Sequence, residues 1–236
     1  MIRGERLTAI IPARGGSKGI PRKNMLRIDG ETIVERSIRL ARESGWVDRI
    51  LVTTDDPEVY AIAKKHGAAP PSLRPPHLAT ELATTIDAVN YLIVDAKIED
   101  GYVLLLQPTS PLRTAADLDA LCREFEAHPE AQAIVSVVRH DAPHPDKIVV
   151  VDEGYVRSYL GTNPSVPRQS LPVVHSINGA FYILPTRILV EQRTFLPERT
   201  MAFEMPAERS VNLDGPLDLL LMEALLKRAE TGQNRC

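Results

Sequence analysis

The chain has 236 residues, about a quarter of them charged, and a formal net charge of −3. That near-neutral balance gives no electrostatic reason to expect nucleic acid or an anionic membrane surface as partner. No run approaches the roughly 18–20 apolar residues of a spanning helix, and Cys122 and Cys236 make neither a disulfide framework nor a zinc site.

The length suits one α/β domain that buries its core unaided, with two small domains as the alternative. Leu7 to Pro12 reads as a buried strand, too short for the apolar core of a signal peptide, and the chain reads as cytoplasmic and reduced. A Gly- and Lys-rich loop follows over 13–24. The spacing then predicts a helix over 33–43, with Thr32 and Glu35 as a capping box and Gly45 closing it. A second strand is expected over 49–54. Asp56-Pro57 starts a helix that Gly67 ends. The stretch 69–80 holds four prolines and reads as a loop. A helix over 84–96, a strand over 102–106, a helix over 114–127 and a strand over 134–138 continue the alternation. This rhythm predicts a Rossmann-like, mainly parallel sheet with helices on both faces.

Beyond residue 140 the pattern changes. An antiparallel hairpin is expected from 147–151 and 155–159, then a polar stretch over 163–172, strands over 180–184 and 201–205, and a leucine-rich closing helix over 216–229. We read one domain over 1–236, with an antiparallel excursion at about 140–205 before the last strand and helix.

The first loop reads Ala13-Arg-Gly-Gly-Ser-Lys-Gly-Ile-Pro-Arg-Lys-Asn24. In an open parallel sheet, ligands bind beyond the carboxyl ends of the strands, where this loop begins. Gly15, Gly16 and Gly19 allow close approach of backbone amides to an anion, and Arg14, Lys18, Arg22 and Lys23 supply charge. The loop is neither a Walker A loop nor Gly-x-Gly-x-x-Gly. A bland basic surface loop is the competing reading.

This loop, with the preceding Ile-Pro, resembles the first motif of the acylneuraminate cytidylyltransferases. Leu73-Arg74-Pro75 with Leu78-Ala79, then Leu106-Gln-Pro-Thr-Ser-Pro-Leu-Arg113, Pro167-Arg168-Gln169, Asn178-Gly-Ala-Phe-Tyr182, and Val211-Asn-Leu-Asp214 with Leu217-Asp218-Leu219 are similar to later motifs, in order. The resemblance implies CTP as one substrate and an acidic nine-carbon sugar of the sialic acid type as the other. It implies triphosphate binding by Arg14, Ser17, Lys18 and Lys23, with Ala13 and Gly15 in the same loop and Asn24 near the ribose. Arg74 and Thr85 fall where the family reads cytosine. Gln107, Lys147, Arg168, Asn178 and Tyr182 fall where it binds the sugar, and Arg168 suits a bidentate grip on a carboxylate. The excursion would also form a homodimer contact, with Phe195 the nearest aromatic to close a partner's pocket.

Two departures stand out. The family carries two aspartates, two residues apart, for Mg²⁺ or Mn²⁺; here Asn212 replaces the first, leaving Asp214, with Asp218 nearby. Ser176 stands where some relatives have arginine. The implied reaction is attack by the sugar's anomeric hydroxyl on the α-phosphorus of CTP, with Arg14, Lys18 and Lys23 stabilising charge. Other acidic acceptors (legionaminic, pseudaminic or deaminated nonulosonic acid, or a shorter ulosonic acid) and a CTP-binding protein with impaired catalysis are the rival readings. The six histidines show no metal-ligand spacing.

Overall fold

The computed structural model describes residues 1–17, 19–140, 142–163 and 165–230. The first strand, β1 (Leu7–Pro12), is buried on both faces: Leu7, Ala9 and Ile11 join one core cluster and Ile10 the other. A strand that alternates into two cores lies at the centre of a sheet covered on both sides. A small hairpin of β2 (Arg27–Ile28) and β3 (Glu31–Thr32), unmarked in the sequence, leads into helix α1 (Ile33–Glu43). The α1 capping box is present: Thr32 Oγ1 accepts from Glu35 N, and Glu35 accepts from Thr32 N.

Then follow β4 (Arg49–Thr53), α2 (Pro57–Lys65) with Asp56 as N-cap, α3 (Thr85–Asp95), β5 (Tyr102–Leu105) and α4 (Ala115–Ala127). Helices α1 and α4 pack on one face through Val34, Ile38, Leu118, Leu121 and Phe125. On the other face α3 packs through Val89, Leu92 and Ile93. Strand β6 (Ala133–His140) precedes an exposed hairpin of β7 (Val149–Asp152) and β8 (Tyr155–Ser158). The chain closes with β9 (Val174–Pro185), α5 (Thr186–Gln192), β10 (Thr200–Glu204) and α6 (Pro216–Glu230).

The main sheet has six strands in the order β10-β6-β9-β5-β1-β4, with β9 antiparallel to both neighbours and the other pairings parallel. The mainly parallel, two-faced sheet is thus as expected. The sequence reading differs at β9, which is 12 residues long and lies inside the main sheet. Its inner half, Ala180 to Leu184, is a continuous apolar and aromatic run, but its outer half is broken by His175, Ser176, Asn178 and Gly179, which conceals its length. Short α5 carries no periodic signal of its own. From β1 the chain passes to β4 on one side and returns past β1 to β5 on the other. That reversal opens a crevice between the carboxyl ends of β1 and β5. Among the described residues no helix is long and apolar enough to cross a membrane.

Candidate active site

The crevice holds a cleft of about 320 Å³. From the loop after β1 come Arg14, Gly16, Ser17, Lys23 and Asn24; from the segment between α2 and α3, Arg74 and Glu81; from the start of α3, Thr85; from the turn after β5, Gln107; from the segment before α6, Asn212 and Asp214. Residues more than 200 positions apart in the chain face one space, so most expected nucleotide and metal positions are brought together. Lys18 lies outside the described residues.

The loop after β1 is held by its own polar groups. Asn24, buried, donates from Nδ2 to Arg14 O at 2.8 Å. Arg14 Nη1 donates to Thr80 O at 2.9 Å, tying the loop to the proline-rich segment. The backbone amides of Ala13 and Gly15 turn away from the cleft. Ala13 N donates to Thr53 O and Gly15 N to Asp55 Oδ1, so both amides are spent inside the protein. Gly16 remains as the glycine facing the cleft. Gly19 is required for another reason: a Cβ there would collide with the backbone carbonyl of Asp214. The loop therefore lies directly on the segment that carries Asp214.

Arg74 is buried and donates to Thr53 through Nε at 3.1 Å and Nη2 at 2.5 Å. Burial pulls its pKa down, while the charge of Asp55 works the other way. A guanidinium held this way presents a fixed donor edge rather than a mobile charge. Gln107 lies over Gly179, whose φ is +77° and where a Cβ would sit 2.5 Å from Gln107 Oε1. The turn carrying Gln107 is braced by Arg113, a residue the motif contained but sequence reasoning left without a role. Its Nη1 donates to Gln107 O and Ala180 O, and its Nη2 to Ser37 Oγ. Burial of this guanidinium pulls its pKa down to about 9.

Asn212 Nδ2 donates to Asp214 Oδ2 at 2.7 Å, and Lys23 Nζ bonds Asp214 Oδ1 at 3.0 Å and Leu213 O at 2.7 Å. Asn212 Oδ1 is buried with no partner among the described residues. Asp218 is occupied elsewhere, its Oδ2 accepting from Asp214 N and Gly215 N at the start of α6. Among the described residues no group of three or more His, Cys, Asp or Glu could hold a metal ion.

Four expected sugar-binding residues lie outside this cleft. Lys147 donates to Val166 O, and Arg168 sits exposed in a short 3-10 turn, Arg168–Ser170. Asn178 is buried; its Oδ1 accepts from Ser136 Oγ and Ala180 N, and its Nδ2 donates to Ser210 Oγ. It fills the irregularity in the β6–β9 register, so its polar atoms are used by the fold. Tyr182 points to the α3 side of the sheet and packs against Phe195 at 5.6 Å between ring centroids; burial pushes its hydroxyl pKa up. Glu81 is a charged residue of the cleft that nothing in the sequence singled out, since it follows no periodic pattern and belongs to no motif.

Comparison with known proteins bears on these features. The family model for "Cytidylyltransferase" matches residues 8–164. The N-acylneuraminate cytidylyltransferase of Streptococcus agalactiae serotype V is 33% identical over 208 residues, 87% of this chain and 49% of that protein. The chain thus spans about half the length of the first such relatives. The CMP-N,N'-diacetyllegionaminic acid synthase of Legionella pneumophila is 29% identical over 228 residues, covering 94% of this chain and 97% of that one. Among solved structures, a CMP:2-keto-3-deoxy-manno-octonic acid synthetase complexed with CTP superposes with a TM-score of 0.67 at 20% identity, over 95% and 99% of the two chains. That likeness is one of fold.

Proposed function

The chain belongs to the cytidylyltransferase family, and from that premise we propose that it joins CMP from CTP to the anomeric hydroxyl of a nonulosonic acid of the sialic type, releasing pyrophosphate. The observation that carries the proposal is the convergence of Arg14, Ser17, Lys23 and Arg74 with Asp214 on one crevice at the sheet's point of reversal. In this reading Arg14, Ser17 and Lys23, with Lys18, grip the phosphates; Arg74 and Thr85 address the base; Gln107 addresses the sugar. Arg168 and Lys147 would reach the sugar's carboxylate from the excursion.

The barrier to in-line attack is largely electrostatic, because negative charge spreads over the phosphoryl oxygens as the bond to pyrophosphate breaks. Lys23 is well placed to meet that charge, being largely buried and already held beside the cleft. Asn24 and Arg113 contribute rigidity by fixing the loop and the Gln107 turn, so that donors need little reorganisation during reaction. Asp214 offers carboxylate oxygens of the kind Mg²⁺ or Mn²⁺ prefers, while Asn212 turns its amide nitrogen to that carboxylate, so a cation here would be held by one carboxylate plus substrate phosphates. Such an ion would neutralise charge on the phosphate oxygens when bound.

The exposed β7–β8 hairpin supports a homodimer. Val151 and Val156 pair across it and both are exposed. Two strands alone are marginal in water, and a second subunit would cover this apolar face.

The acceptor has a second reading, a legionaminic acid, favoured by a relative that matches this chain almost end to end. Pyrophosphate release from CTP, measured with sialic, legionaminic, pseudaminic and shorter ulosonic acids, decides between them. We expect turnover with CTP and at least one nonulosonic acid. No release with any acceptor, despite CTP binding, would make this a nucleotide-binding protein instead.

A further inference from the structure

We propose that the cavity between α6, α1 and the start of α4 is a second binding site, for a small amphipathic anion that joins an apolar body to a phosphate or carboxylate head. The cavity shares no lining residue with the cleft described above, so the proposal stands apart from the nucleotide reading.

The cavity has a volume of about 590 Å³, within the range of small-molecule sites. Its floor is Leu112, Leu225 and Leu226, each half-buried against a further core cluster around Ile28, Ile33 and Met222. Leucines left partly open to water forgo transfer energy that an apolar body would recover. Its walls include the guanidinium groups of Arg36, Arg113 and Arg209, with Glu208 as the acid of the lining. Arg209 is already answered, by a forked contact with Asp117 and by the charge of Glu208. Arg113 is held by two carbonyls and a hydroxyl, and no acid pairs with it among the described residues. Arg36 has a long contact, 3.4 Å, to the exposed carboxylate of Asp29, and pairs of that kind contribute little.

A second, independent sign lies in Arg36 itself. Its Nε is buried with no partner among the described residues. Buried donors are seldom left so, because an unmet one is costly. A guanidinium offers Nε and a terminal nitrogen as a fork that matches the two oxygens of a carboxylate or phosphate. A small shift of Arg36 off its long Asp29 contact would bring that fork to an oxyanion in the cavity. An apolar ligand alone would leave the donor unmet, and an inorganic anion alone would leave the leucine floor wet. One molecule with both parts satisfies both. The Arg113 wall is also the side chain that holds Gln107 O, so the occupant would sit against the brace of that turn.

Fluorescence titration of the whole protein with 1-naphthyl phosphate tests this, with inorganic phosphate as the head alone and 1-naphthol as the body alone, read by calorimetry. We expect saturable binding of 1-naphthyl phosphate about tenfold tighter than either part, the effect of one charge-assisted hydrogen bond added to the apolar contact. Arg36→Gln should weaken it about tenfold. Ala229→Glu sets a carboxylate at an exposed position of the lining, at little cost to the helix, and should weaken binding by a similar factor; it serves as the second variant should the first fold poorly. CTP binding should be the same in both variants as in the wild type, since neither position lines the cleft. Absence of saturable binding to the wild type would overturn the proposal, as would folded variants that bind like the wild type, or either part binding as tightly as the whole. Loss of CTP binding alongside loss of 1-naphthyl phosphate binding would assign the probe to the cleft and overturn it too.

Discussion

Lys23 is the residue on which most of the cleft chemistry converges. It contacts Asp214 and Leu213 from a largely buried position and lines the same cleft as Arg14 and Ser17. Hydrogen bonds to charged groups are worth about 1.5–3 kcal/mol, so Lys23→Ala should weaken CTP binding roughly tenfold to a hundredfold. Calorimetry checks this, and unchanged affinity would remove Lys23 from the site. Gly179 is a different kind of requirement. Its positive φ is strained for any other L residue, and a methyl group there would push on Gln107 Oε1, which must move away. Gly179→Ala should destabilise the fold by about 1–3 kcal/mol and displace Gln107, raising KM for the acceptor more than for CTP. The sequence marked both residues as parts of motifs. That Gly15 serves Asp55 while Gly16 faces the cleft was not legible, because both glycines permit the same backbone and only the neighbouring loop decides which amide is already taken.

Three helices begin with the same device, a threonine N-cap answered by an acid three residues on: Thr32 with Glu35, Thr84 with Asp87 and Thr114 with Asp117. At α4 the device has a second use. Asp117 is buried and takes a forked contact from Arg209, with Nη2 to Oδ1 at 2.7 Å, tying α4 to the segment that leads to Asn212 and Asp214. Burial pushes the Asp117 carboxyl up, but hydrogen bonds from Arg209 and Thr114 prevail and hold it below the usual range. A carboxyl lowered on folding stabilises the protein above its unfolded pKa, near 4, and loses that contribution as pH falls through the folded value. Asp117→Asn should therefore destabilise by about 2 kcal/mol at neutral pH. In urea titrations that gap should narrow below about pH 4. A gap independent of pH would assign the effect to packing. The capping spacing is readable along the chain; the Arg209 contact joins positions 92 residues apart and is not.

For the whole molecule, the exposed hairpin makes the proposed homodimer testable. Val151 and Val156 form an apolar cross-strand pair without cover from this chain. A charge buried at such an interface is strongly unfavourable. Val156→Asp should convert a sedimenting dimer to a monomer while the main sheet, which the hairpin does not join, keeps its far-ultraviolet spectrum. A wild-type monomer would remove the proposed dimer, and a dimer indifferent to this change would place the contact elsewhere.

What the sequence determined by itself is whatever is written in neighbouring residues: the strand and helix periods, the caps, and a loop whose glycines and cations suit an anion. These follow from local sterics and from burial on one face or two. The insertion of β9 into the main sheet, the choice among glycine amides, the brace from Arg113 to β9 and the pairing of Lys23 with Asp214 were decided only by the tertiary structure. Each joins segments far apart in the chain, and whether two such groups meet depends on how the layers pack, which no local pattern encodes.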